Sequence, residues 1–155
     1  MAVARGRNGA DAAYEQARTA VVKIGIPREV KNNEFRVGIT PVGVHELVNH
    51  GHTVYIEKDA GVGSSITDED FVGQGAQILD SADDVWGESD MVMKVKEPVA
   101  EEYHRLREDL LLYTYLHLAA DEPLTEELVA KKVTAVAYET VQLPSGMLPL
   151  LYPMS

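Results

Sequence analysis

Two apolar runs of strand character end in groups that could do chemistry. DMVMKVKEP, from Asp90 to Pro98, ends in Lys94, Lys96 and Glu97; DLLLYTYLHLAA, from Asp109 to Ala120, reaches His117. If the runs are neighbouring buried strands, Lys96 and His117 leave one sheet at the same edge. A cation beside an imidazole suits a small carbonyl or carboxylate substrate. The cation stabilises developing negative charge, and the imidazole, which titrates near neutral pH, moves protons. Arg36, in the loop after the first strand-like run, offers a guanidinium that can grip a carboxylate bidentately. Glu139, at the end of a later run, either positions a cation or faces solvent.

Each residue also has an ordinary reading, which composition and spacing alone favour. Lys94 and Lys96 share a face by the two-residue period of a strand and are then solvated strand-end charges. His117, with apolar residues on both sides, is then a partly buried core histidine, and Arg36 a surface charge. His45, His50, His52 and His104 lack metal-ligand spacing and read as surface residues. No metal site is expected.

The elements that must position these groups alternate between strand and helix. VVKIGI, stopped by Pro27, is a first strand. Thr40-Pro41 opens a helix as N-cap and first helical residue, with Val44, Leu47 and Val48 on one face. HTVYIE is a second strand. Gly61-x-Gly63 precedes another helix capped by Thr67 in a box with Asp70 and ended near Gly75. Ile66 stands where a dinucleotide fingerprint needs its third glycine, so this stretch reads as a tight loop rather than a phosphate cradle. AQIL reads as a short strand, and Ser81 starts a helix carrying the core residue Trp86.

MVMKV and LLLYTYL are the central strands, with VAEEYHRLRED an amphipathic helix between them. DEPLTEELVAKK is a helix with Leu124, Leu128 and Val129 inward. VTAVAYE is the last strand, and the Pro-rich apolar tail from Val141 onward has no assigned element. Strands without a polar face, alternating with helices, predict an α/β fold. Its sheet is mostly parallel, doubly wound and Rossmann-like, covered on both sides, with ligands outside the carboxyl ends of the strands.

The chain has 155 residues, 45% hydrophobic and 25% charged, a net charge of -11 and no cysteine. That is a core-bearing globular chain with no disulfide or thiolate chemistry, suited to a reducing cytoplasm. The acidity argues against a nucleic-acid partner, and no apolar run approaches a membrane span. Residues 1–20 are small, polar and charged and read as a flexible extension, with a short helix from Asp11 onward. The fold proper occupies residues 21–155.

Several segments go beyond pattern. KIGIPREVKNNEFRVGITPVGV, GHTVYIEKDAGVGSSITDEDF, MVMKVKEP, YTYLHLAA, AYETVQ and LPLLYPMS resemble the amino-terminal part of bacterial alanine dehydrogenases, from about Val22 to Ser155. The related transhydrogenase alpha subunits share the opening pattern but not the His-Leu-Ala-Ala segment, and lysine-forming saccharopine dehydrogenases are more distant. The resemblance implies reversible NAD-dependent oxidation of L-alanine to pyruvate and ammonia, in a cytoplasmic homo-oligomer. It implies that Arg36 binds the substrate carboxylate and Lys96 the reacting centre, and that His117 is the catalytic proton donor and acceptor. It also implies that Met154 lies beside the substrate and Ser155 contacts NAD. Lys94 is left as scaffold or surface. The resemblance stops short of the family's NAD-binding domain and of a further catalytic carboxylate. The expectation is therefore a truncated product or fragment, a substrate domain with little or no dehydrogenase activity alone. The alternative is a non-catalytic module that binds a small acid or pairs with another subunit, or a piece of a transhydrogenase alpha-type subunit.

Overall fold

A computed structural model describes Gln16 and residues 19–154, except the side chain of Met154. The expected extension, including its short helix, therefore lies almost wholly outside the described residues, as does Ser155. Six strands form one parallel sheet: β1 Lys23–Ile26, β2 Thr53–Glu57, β3 Gln77–Leu79, β4 Met91–Met93, β5 Leu111–Thr114 and β6 Thr134–Ala137. Their order is β3-β2-β1-β4-β5-β6, the doubly wound arrangement expected. The order reverses between β1 and β4, where Ile24 aligns with Met91 and Gly25 with Val92. The loops leaving these two strands diverge there and open the crevice in which such sheets take ligands.

Four helices are set by their caps. Helix α1, Pro41–Asn49, starts where the Thr40 side chain accepts from Gly43 N–H and Pro41 takes the first turn. Helix α2, Asp68–Val72, carries the reciprocal Thr67–Asp70 capping box. It stops earlier than expected, with Gly73 as its cap, and Gly75 (φ +101°) turns the chain towards β3. Helix α3, Ala82–Glu88, begins at Ser81, and α4, Glu122–Ala130, at Asp121, with Pro123 in its first turn.

The core lies in two clusters. Ile24, Ile26, Val44, Val54, Ile56 and Phe71 join β1 and β2 to α1 and α2. Trp86, Val92, Leu110, Leu112, Leu124 and Leu128 join β4 and β5 to α3 and α4. Trp86 is therefore a core residue, as expected.

Three expectations are corrected. The segment between β4 and β5 is a single 3-10 stretch, Ala100–Arg105, rather than an amphipathic α-helix, and its fully buried residue is Glu102. Val129 is 73% exposed, because in a nine-residue helix only Leu124 and Leu128 reach the sheet. The sheet is not covered on both sides throughout: β6 is an edge strand with Thr134 and Val136 open.

Leu112 is fully buried in the middle of β5. Leu112→Ala is expected to lower unfolding free energy by about 2–5 kcal/mol through lost burial and a residual cavity. Urea denaturation checks this, and a loss well under ~1 kcal/mol would contradict the core described above.

Candidate active site

The carboxyl end of β4 is held from below. Strand β4 stops at Met93, so the two-residue alternation that put Lys94 and Lys96 on one face does not continue through them. Lys94 turns inward, and its Nζ lies 3.1 Å from Glu29 Oε2 and 3.2 Å from Glu102 Oε2. The three side chains are at most 2% exposed, so the surface reading of Lys94 is wrong and the scaffold reading right. Glu29 also accepts from the backbone N–H of Val95 (2.6 Å) and Lys96 (3.4 Å), and Glu102 from that of Val99 (3.1 Å). Burial pushes the Glu102 carboxyl up, opposed by the Lys94 ammonium.

Lys96 is only partly covered. Its backbone carbonyl accepts from the Thr114 hydroxyl (2.8 Å), and its Nζ stands 4.9 Å from the centre of the Tyr115 ring, a cation–π distance. The same ring meets His117 edge-on at 5.9 Å and Tyr138 at 6.2 Å. Tyr138 donates to the Val95 carbonyl (2.8 Å), and burial pushes its phenol up to about 12. Lys96 and His117 thus border one aromatic residue at the same sheet edge, as expected from their positions after β4 and β5.

His117 is exposed and left-handed (φ +46°). That costly conformation is held by Glu139, whose Oε1 accepts from the backbone N–H of Leu116 (3.0 Å) and His117 (2.9 Å). Glu139 is buried and neither faces solvent nor binds a side-chain cation; its Oε2 has no partner. Among the other histidines, His52 is more than a surface residue: its Nδ1 accepts from Val22 N–H (3.2 Å) at the start of β1.

Arg36 lies across the crevice in the loop after β1. Its Nε donates to Glu34 Oε1 (2.9 Å) and its Nη2 to Glu34 Oε2 (2.7 Å). These bonds hold the Glu34 carboxyl down at about 2. The Gly61-x-Gly63 loop supports this segment. A Cβ on Gly63 would collide with the Phe35 carbonyl oxygen, and one on Gly61 with that of Ile66. Both glycines serve close backbone packing here, in keeping with the tight-loop reading.

Arg36 lines a cavity of about 370 Å³ that also has Thr40, Val95, Tyr113 and Tyr138 in its wall. A larger one, about 510 Å³, also has Arg36 in its wall, with Arg28, Glu29, Glu34 and Asp59. His117 lines a third, of about 390 Å³, with Tyr115 and Glu139. The Tyr138–Tyr115 contact therefore lies between the Arg36 cavity and the His117 cavity. Of the residues singled out in the sequence, Lys96 and His117 come together, and Arg36 faces them across Tyr138. Met154 is described only by its backbone, in the turn Tyr152–Met154.

Sequence reasoning missed Glu29, Glu34, Glu102, Tyr115 and Tyr138. Glu34 carried a signal, since residues two apart in an extended loop share a side. Glu29 carried none, because its partners lie 65 to 67 residues away, and Glu102, three residues after Val99, gave no sign that it is buried on Lys94.

Two outcomes follow. Lys94→Met leaves two buried carboxylates without their cation and is expected to cost about 3–5 kcal/mol at pH 7. The deficit should shrink as the pH is lowered, because burial already pushes the Glu102 carboxyl up and the loss of Lys94 lets it take a proton more readily; chemical denaturation at neutral and at acid pH reads both, and an equal loss at the two pH values would count against it. Glu34, depressed from its ordinary 4.5 to about 2, contributes stability that is present above pH 4.5 and lost as pH falls towards 2. Glu34→Gln should therefore be less stable than the parent by on the order of 1 kcal/mol at neutral pH, the gap closing in acid.

The chain and its fold are similar to known proteins. Residues 25–155 match the family described as alanine dehydrogenase/PNT, N-terminal domain. Alanine dehydrogenase of Mycobacterium tuberculosis (strain CDC 1551 / Oshkosh) is 56% identical over 134 residues, and that of Staphylococcus haemolyticus (strain JCSC1435) 58% over 134. Each match covers 86% of this chain and 36% of the relative, so the chain spans little more than a third of the proteins it matches. A solved L-alanine dehydrogenase superimposes with TM-score 0.83 at 55% identity, over 85% of this chain and 36% of that one. Transhydrogenase from Sinorhizobium meliloti does so with TM-score 0.70 at 28% identity, over 75% of this chain and 33% of that one. The chain belongs to the alanine dehydrogenase/PNT family and corresponds to its N-terminal domain.

Proposed function

We propose that this chain is the substrate-binding part of an NAD-dependent L-alanine dehydrogenase, a cytoplasmic enzyme interconverting L-alanine with pyruvate and ammonia. The carrying observation is the convergence of Lys96 and His117 on Tyr115 at the sheet edge, with Arg36 across the crevice. Identity of 55–58% to alanine dehydrogenases, against 28% to the transhydrogenase, favours alanine over the transhydrogenase reading.

In this reading Arg36 pairs with the carboxylate and fixes the ligand's orientation. Lys96 stands at the reacting carbon and stabilises charge on the carbonyl oxygen as the carbinolamine forms and collapses. His117 takes the proton from the attacking water or amine and returns it to the leaving group. Its backbone is pinned by Glu139 while its ring stays open to solvent, so the imidazole can exchange protons without losing position. Met154 and Ser155 belong to this proposal as contacts to substrate and to NAD. The Gly61-x-Gly63 loop packs on Phe35 and is not a nucleotide cradle. The chain's own contribution is thus binding, orientation and proton transfer.

The test is to join this chain in frame to the remaining part of the Staphylococcus haemolyticus relative and follow NADH formation with L-alanine. The chimera is expected to turn over. His117→Ala should lower kcat by about 10²–10⁴-fold while changing pyruvate affinity little. Near-normal turnover by that variant, or binding of pyruvate unaffected by Arg36→Ala, would defeat the proposal.

A further inference from the structure

We infer that Glu34 is a positioning residue: it grips Arg36 by its Nε edge and so aims the Nη edge at a ligand carboxylate. The inference rests on the reading of Arg36 as the carboxylate anchor and extends it to a residue that does not touch the ligand.

A guanidinium has five N–H donors, one on Nε and two on each Nη. The contacts to Glu34 Oε1 (2.9 Å) and Oε2 (2.7 Å) use the Nε donor and one Nη2 donor. Both Nη1 donors and the second Nη2 donor remain, and they make up the end-on fork that fits a second carboxylate. Glu34 Oε1 also accepts from the Arg36 backbone N–H (2.9 Å), so the carboxylate is fixed at three points on one residue. Exposure divides accordingly: the Glu34 side chain is 6% exposed and the Arg36 side chain 57%. The anchor is buried and the cation largely open, and Arg36 lines the cavity that contains Tyr113 and Tyr138.

Removing Glu34 has two opposed consequences. It unmasks positive charge on Arg36, which tightens anion binding. It also frees a long side chain whose rotamers must then be frozen on binding, which weakens it. With Arg36 more than half exposed, solvent screens the charge gained, so loss of orientation dominates. Glu34 as a competitor for the fork is the contrary view. It requires the ligand to displace a buried carboxylate whose ionised form Arg36 itself stabilises.

The test uses the full 155-residue chain, titrated with pyruvate and with its uncharged analogue pyruvamide by calorimetry or NMR. Glu34→Ala is expected to weaken pyruvate binding about tenfold and to leave pyruvamide within about twofold. The Arg36 Nε–H resonance, held by Glu34 in the parent, should move to a solvent-exchanging position. Glu34→Gln, which keeps one acceptor oxygen and is the milder change, should fall between. A general loosening of the fold would weaken both ligands alike and would overturn the inference, as would pyruvate binding that is unchanged or tighter in both variants. Arg36→Ala separates this from the underlying reading. If the parent fails to bind pyruvate or to prefer it over pyruvamide, or if Arg36→Ala keeps that preference, the carboxylate-anchor reading falls and the inference with it. If Arg36→Ala abolishes the preference while Glu34→Ala does not alter it, only the inference falls.

Discussion

The ammonium of Lys94, buried between Glu29 and Glu102, ties together three pieces of chain that share no regular secondary structure. Glu29 comes from the loop after β1, Lys94 from the end of β4 and Glu102 from the 3-10 segment that follows. Taking such a group out of water costs several kcal/mol per ion, offset only where every charge is paired and hydrogen-bonded. Here the spare oxygens are used on the backbone N–H groups of Val95, Lys96 and Val99, so the ions and the Lys94–Val99 turn stabilise one another. The group carries one more carboxylate than cation; burial pushes the Glu102 carboxyl up, and the neighbouring Glu29 carboxylate adds to that against the pull of Lys94.

Acidic side chains fix backbone or a neighbouring cation throughout the site, while Lys96 is left half-buried and His117 and Arg36 exposed. Glu29 fixes the turn that carries Lys96, Glu139 fixes the left-handed backbone of His117, and Glu34 holds Arg36. In a protein of net charge -11 the carboxylates are therefore not all solvating surface. At least four of them, counting Glu102, act as hydrogen-bond acceptors inside the fold. The tyrosines complete the wall. Tyr138 locks the Val95 carbonyl, and Tyr115 lies between a cation and an imidazole. A ring face suits this place because it attracts the ammonium through its π electrons.

Much of the fold was legible in local sequence. The caps at Thr40, Thr67 and Ser81 act within three residues of themselves, and the apolar runs of β1, β2, β4 and β5 state their burial directly. The errors came where an element is short or ends early. Val129 fits the helical period, but α4 is too short and too near the sheet's edge to use it. The stretch from Ala100 to Arg105 has an amphipathic pattern but winds as a 3-10 turn, with Glu102 directed at Lys94.

The sequence by itself determined the alternation of strands and helices, the doubly wound parallel sheet, the placement of Lys96 and His117 just past strand ends, and that of Arg36 in the loop after β1. Those properties follow from periodicity, capping and chain connectivity, all of them short-range. Only the tertiary structure decided which lysine of KVK is buried, what Glu139 does, and which carboxylates hold which loops. Those outcomes depend on partners 65 residues apart for Glu29 and Lys94 and 22 apart for His117 and Glu139. A charge is placed inside a protein only when its counter-charge and hydrogen-bond partners arrive with it, and that pairing exists only after the sheet has brought β1, β4, β5 and β6 side by side.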